Sequence, residues 1–159
     1  MKKRTILCLL IYCVVLRVAA LSAAPLDTVS FDRLSQLQQK QKRLTLVLIG
    51  TEWCKYCEAM ERYITADWPQ AIEQGYYFLK LDVEEKEPIN FNKHLFYYRP
   101  TGASTGLHEL ATYLGTDQSG SLSFPTICIL SEENELLFRY QGFLRKEELG
   151  RILMQLLSD

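Results

Sequence analysis

The hydrophobic positions of the chain change period several times, and each change marks an element. Behind Ser30, the residues Phe31, Leu34 and Leu37 recur at three-residue steps, which predicts a helix from Phe31 to about Lys42 with Ser30 as its N-cap. Leu44 to Ile49 is a nearly unbroken apolar run, the pattern of a strand covered on both faces, and it is the expected central strand. Gly50, Thr51 and Glu52 turn the chain. Helical spacing resumes from Trp53 to about Ala66, with Ala59, Met60, Tyr63 and Ile64 on one face and Glu58, Glu61 and Arg62 on the solvent side. Pro69 biases Trp68 away from helix, so Trp68 is expected to seal the helix end against the core.

Further strands are predicted over Tyr76 to Val83 and Pro125 to Leu130. Glu132, Glu133 and Asn134 turn the latter into a fourth strand, Glu135 to Tyr140, making a hairpin. Gly142 breaks that strand, and Arg145 to Leu157 reads as an amphipathic helix with Leu149, Ile152, Leu153 and Leu156 inward. The order implies an α/β fold with a mixed central β-sheet flanked by helices. The excursion from Glu84 to Phe124 is less regular. Phe91, Leu95 and Tyr98 sit at helical spacing, and His108 to Leu114 reads as a second helix stopping at Gly115. Its aromatics Phe96, Tyr97 and Tyr98 have two readings: packing of the excursion against the domain, or a border to a reactive centre that selects partners. The acidic residues Asp82, Glu84, Glu85 and Glu87 read as a solvated loop.

The N-terminus changes the picture. Lys2, Lys3 and Arg4 precede the apolar run Ile6 to Leu16, followed by Arg17 and the small residues Ala19, Ala20, Ser22, Ala23 and Ala24. That is the charge, apolar, small-residue order of a secretory signal peptide over residues 1–24, with an uncleaved anchor or a buried helix as alternatives. The remaining 25–159 form one domain. With 18 Lys and Arg against 19 Asp and Glu, scattered among one another, no basic stripe exists to neutralise phosphates, and nucleic acid is excluded as a partner. Of five cysteines, Cys54, Cys57 and Cys128 lie outside the leader. Cys54 and Cys57 close a ring too short to gain much chain entropy, so that pair is chemical rather than structural. Cys128 alternates within an apolar strand and reads as a buried, inert thiol.

Two cysteines separated by Lys55 and Tyr56, at the start of a helix behind a buried strand, have a specific chemistry. Unpaired N–H groups and the positive end of the helix dipole favour a thiolate over a thiol at Cys54, which becomes the nucleophile. Cys57, one turn on, is placed to attack the mixed disulfide that Cys54 forms.

The run Glu52-Trp53-Cys54-Lys55-Tyr56-Cys57 after an apolar strand, with Phe124-Pro125-Thr126 before a later strand, resembles the thioredoxin superfamily. More narrowly, it is similar to the exported bacterial thiol-disulfide oxidoreductases represented by the C-terminal domain of DsbD and the chlamydial reductase DsbH. The resemblance spans roughly Phe31 to Leu157, with residues 85–121 as an insertion. It implies catalysis by Cys54 and Cys57, a cis peptide at Pro125, and a substrate surface formed by Trp53, Lys55, Tyr56, Phe124, Pro125 and Thr126. Trp53 and Tyr56 are then exposed. It implies action on disulfide-containing exported proteins and re-reduction by a membrane electron donor of the DsbD type; the leader implies a periplasmic location, a monomer is the default, and no cofactor or metal is expected.

Departures matter equally. The strand position where thioredoxins bury an acid is Leu48, while Lys80 matches a lysine lying beneath their cysteines. Lys55-Tyr56 lacks the histidine that oxidases and isomerases place between the cysteines, which favours a reductant. An oxidase or isomerase with the same centre remains an alternative. So does a zinc site completed by His94 and His108, copper(I) delivery on two thiolates, or an adaptor whose cysteines are incidental.

Overall fold

The structure, a computed structural model, describes residues 28–158; the leader read over 1–24 lies outside them. Strands β1 (Leu44–Gly50), β2 (Tyr76–Asp82), β7 (Thr126–Leu130) and β8 (Leu136–Gln141) form the main sheet, and four short strands lie between β2 and β7 in the chain. The spatial order is β2-β1-β7-β8. β1 is parallel to β2 and antiparallel to β7, and β7 is antiparallel to β8. β1 is therefore central, and six of its seven residues are buried.

Because side chains alternate along a strand, β1 serves two cores. Val47 and Ile49 point to the face covered by α1 (Phe31–Lys40) and α4 (Glu109–Gly115), where Phe31, Leu34, Leu110 and Leu114 pack. Leu46 and Leu48 point to the face covered by α2 (Lys55–Ile64), α3 (Gln70–Gly75) and α5 (Lys146–Leu156), through Met60, Ile64, Ile72, Leu149 and Leu153. Buried Gln38 ties α1 to β1: its amide donates to Arg43 O at 2.7 Å and accepts from Arg43 N at 2.9 Å.

Several boundaries differ from the sequence reading. The first helix stops at Lys40, since Gln41 turns extended while its N–H still bonds Leu37 O. The second begins at Lys55, leaving Cys54 outside as its N-cap. It ends at Ile64, and Trp68 seals that end as expected, its indole N–H donating to Ile64 O at 2.7 Å. The short helix α3 has no counterpart in the sequence pattern, because six residues are too few to show a period.

The excursion is corrected most. In place of a helix through Phe91, Leu95 and Tyr98 there are two small hairpins, β3 (Ile89–Phe91) with β4 (His94–Phe96), and β5 (Tyr98–Pro100) with β6 (Gly106–His108). Asn92 and Lys93 both take positive φ, 52° and 63°, the geometry of a two-residue hairpin turn matched to strand twist. Phe91 and Phe96 are buried on one face of this hairpin while Leu95 is exposed on the other, so the true period is two. His108 is the N-cap of α4 rather than its first residue: its Nδ1 accepts from Leu110 N at 3.2 Å. Gly115 lies inside the helix. Among the described residues, no helix is long and apolar enough to cross a membrane.

Candidate active site

β1 delivers the chain to one end of the sheet, where Gly50 O accepts Val83 N at 2.9 Å and Thr51 O accepts Cys54 N at 3.2 Å. Cys54 then caps α2, its Sγ accepting the N–H of Cys57 at 3.2 Å. An N-cap sulfur in that position receives one of the orphan N–H donors of the first turn, the group that stabilises negative charge there. Cys54 and Cys57 are joined as a disulfide, with Cα atoms 5.2 Å apart. Cys57 is 4% exposed and Cys54 9%, whereas Trp53 and Tyr56 beside them are 70% and 67% exposed.

Gly50 is needed by this geometry. A Cβ placed on it would lie 2.6 Å from Cys57 Sγ, well inside contact distance, so only glycine allows the strand end to pass so close to the sulfur.

Pro125 arrives from the neighbouring strand. Thr126 pairs with Ile49 in the ladder, so the residue before it stands at the same end of the sheet as Gly50 and the cysteines. The Phe124–Pro125 peptide is cis, Pro125 O accepts Gly142 N at 2.7 Å, and Thr126 Oγ1 donates to Ser123 O at 2.6 Å. Thr126 is fully buried and Phe124 packs at the edge of the core, leaving Trp53, Lys55 and Tyr56 as the exposed members of the set read from the sequence.

A model of the thioredoxin-like domain matches residues 31–157. The chain belongs to the thioredoxin-like domain family. Its fold is similar to that of a thioredoxin-fold protein from Helicobacter pylori, at 13% identity and a TM-score of 0.54, over 88% of this chain and 80% of that one. It is similar also to a thioredoxin from Malassezia sympodialis, at 15% identity and a TM-score of 0.53, over 87% and 97% of the two chains. A mutant thioredoxin from Halobacterium salinarum matches at 14% identity and a TM-score of 0.50, over 84% and 94%. At such identities the likeness is one of fold. Among curated proteins, none matches the sequence at a significant level.

Within this thioredoxin-like domain, a cavity of about 230 Å³ opens beneath Cys57, lined by residues that include Leu48, Gly50, Thr51, Glu61 and Lys80. Lys80 stands opposite Leu48 in the β1–β2 ladder, on the face that α2 covers. Its ammonium lies 2.7 Å from Glu61 Oε2. Glu61 is thus only half-buried and turned to the cavity, not a solvent-face residue as its place in the pattern suggested. The i to i+4 step from Cys57 was the available signal.

The acidic stretch is likewise more than a solvated loop. Asp82 Oδ1 accepts Glu84 N at 3.0 Å, and the Glu84 carboxylate accepts the Trp53 indole N–H at 3.1 Å. Phe143 was also missed: its ring centroid is 5.9 Å from that of Tyr56. Nothing local marks it, because 87 positions of chain separate the two.

The remaining residues are engaged elsewhere. Phe96 is buried against Tyr113 and His94 as part of the core under α1 and α4, and Tyr98 lies under the Lys86 ammonium, 3.3 Å from the ring centroid; the aromatic and cation–π contacts of these two rings lie within the excursion and α4. His108 is fully buried, with Nε2 3.3 Å from Glu87 O, and burial holds its pKa below the ordinary value. Among the described residues, no three His, Cys, Asp or Glu side chains gather as a metal site. Cys128 is buried with its thiol pushed up to about 12 by burial, and its Sγ donates to Leu114 O at 3.2 Å.

Proposed function

We propose that this protein is a thiol-disulfide oxidoreductase that reduces disulfides of exported proteins through Cys54 and Cys57. The observation that carries the reading is the N-cap position of Cys54, where its nearly covered sulfur already accepts a helix N–H, next to the exposed Trp53 and Tyr56. In the reduced dithiol, the Cys54 thiolate attacks one sulfur of a substrate disulfide, forming a Cys54–substrate bond and releasing the first substrate thiolate. Cys57 gives up its proton and attacks Cys54 Sγ, expelling the second substrate thiolate. Two electrons have then passed from the dithiol to the substrate, and Cys54–Cys57 is oxidised. An extended substrate lies across Trp53, Lys55 and Tyr56 beside the Phe124–Pro125 segment, whose turn the buried Thr126 anchors through Ser123 O.

Export rests on the leader over residues 1–24, and places the protein in a periplasm, where a membrane donor of the DsbD type resets the dithiol. The reducing direction rests on the absence of histidine between the cysteines. In the test, wild-type protein accelerates dithiothreitol-driven insulin reduction, Cys57→Ser accumulates a mixed disulfide with substrate, and Cys54→Ser does neither. Wild-type protein no faster than dithiothreitol alone would overturn the activity. A reduction potential near about −270 mV supports a reductant, and one near about −120 mV makes the centre an oxidant instead.

A further inference from the structure

The two edges of the sheet give the reactive centre two unlike flanks. In the order β2-β1-β7-β8, the cysteines follow β1 near the middle, while β2 and β8 are the outer strands. On the β2 side, Trp53 is tied by its N–H to the Glu84 carboxylate, just past the end of that strand. On the β8 side, Tyr56 meets Phe143, just past the end of β8.

The second flank is apolar and built. Phe143 is 42% exposed, yet the backbone on either side of it is anchored. Gly142 N bonds the Pro125 carbonyl at 2.7 Å, and the Tyr63 hydroxyl donates to Leu144 O. Leu144 itself is buried in the core against α5. Tyr63 also packs edge-on against the Phe143 ring at 6.2 Å, and burial raises its hydroxyl to about 12, so it stays a protonated donor. An exposed aromatic on a bracketed backbone has lost little by ordering and regains apolar contact when covered. Tyr56 stands between the cysteines in sequence, so whatever reaches Cys54 Sγ, itself almost covered, passes beside this shelf.

We propose that Tyr56 and Phe143 form a specificity subsite that seats one apolar or aromatic side chain adjacent to the reacting cysteine of an extended polypeptide substrate. The other flank presents the exposed Trp53 indole tied to the Glu84 carboxylate, with no second aromatic ring packed against it among the described residues, so the preference is one-sided along the substrate. This rests on the reductase reading, because it assumes that a polypeptide disulfide is attacked at Cys54.

The test uses the folded protein and a set of disulfide-linked peptides identical except for Phe or Ser placed immediately before, or immediately after, the reacting cysteine. In wild-type protein, kcat/KM favours Phe over Ser by about tenfold at one of the two positions and by little at the other. In both Phe143→Ala and Tyr56→Ala the ratio falls towards one, while Phe143→Leu keeps most of it; the Leu variant guards against a fold lost in Phe143→Ala. A ratio near one in wild-type protein, or a preference undiminished in both alanine variants, overturns the subsite. Turnover of oxidised glutathione by wild-type protein is read alongside: its presence with no peptide preference sinks the subsite alone, and its absence together with inert peptides sinks the reductase reading beneath it.

Discussion

Lys80 Nζ lies 2.7 Å from Glu61 Oε2 in the cavity beneath Cys57, and this ion pair lines the region to which β1 contributes Leu48 and Gly50 but no acid. The carboxylate comes from α2, one turn past Cys57, and Lys80 orients it from the facing strand. In the proposed reaction, a carboxylate lining the same cavity as Cys57 is the group to take the proton that Cys57 loses on resolving a mixed disulfide.

Glu61→Gln is therefore expected to slow disulfide reduction near pH 7 by roughly 10²-fold, the lower end for a positioned base, with the loss shrinking as pH rises and hydroxide takes over the proton. A partly exposed ion pair contributes less than ~1 kcal/mol, so thermal stability should barely move. The pH profile of kcat/KM checks this. A variant slowed equally at every pH would show that Glu61 acts only through structure.

Gly50→Ala tests the close passage of β1 beneath the sulfur. With a Cβ 2.6 Å from Cys57 Sγ, either the strand or the cysteine must shift. Overpacking of this kind costs about 1–3 kcal/mol, and the displaced Cys57 should close its disulfide more slowly. Urea unfolding and the rate of dithiol oxidation measure the two effects, and neither should change if the site can relax freely.

His108 gives the protein an acid-sensitive contact. Its Nδ1 is used as an acceptor by Leu110 N, and burial holds its pKa below the ordinary value against the opposing Glu87 carbonyl and the Glu85 and Glu109 charges. Below about pH 6.5 the unfolded chain takes up a proton that the native His108 refuses, so this part of stability is complete above that pH and lost as pH falls below it. The urea midpoint should drop from pH 7.5 to 5.5, and drop less in His108→Asn, which retains an N-cap acceptor. Equal drops in both would clear His108 of the effect.

Cys128 is expected to resist iodoacetamide in the native state, since its thiol is buried and pushed up to about 12. Cys128→Ala should cost roughly 1 kcal/mol through a small cavity and leave turnover within about twofold. Rapid native alkylation would show that the strand around it opens.

Much of this was legible in local pattern. The unbroken run at Leu44 to Ile49 marked a strand buried on both faces, and the helical period of Arg145 to Leu157 marked the closing helix. The helix start after Gly50 put two cysteines at a dipole end. The excursion misled because Phe91, Leu95 and Tyr98 mimic helical spacing, while the signal that mattered was Asn92 with Lys93 accepting positive φ in a two-residue turn.

The sequence by itself determined the strands and helices of the central sheet, the thioredoxin-like family, and the cysteine pair at a helix start, because each is encoded within a few neighbouring residues. Only the tertiary structure decided which residues surround that pair. Glu61 meets Lys80, Trp53 meets Glu84 and Tyr56 meets Phe143 because the order β2-β1-β7-β8 and the packing of α2 across the sheet bring them together. Side-chain periodicity reports which face of an element is apolar; it carries no information about which distant element will cover that face.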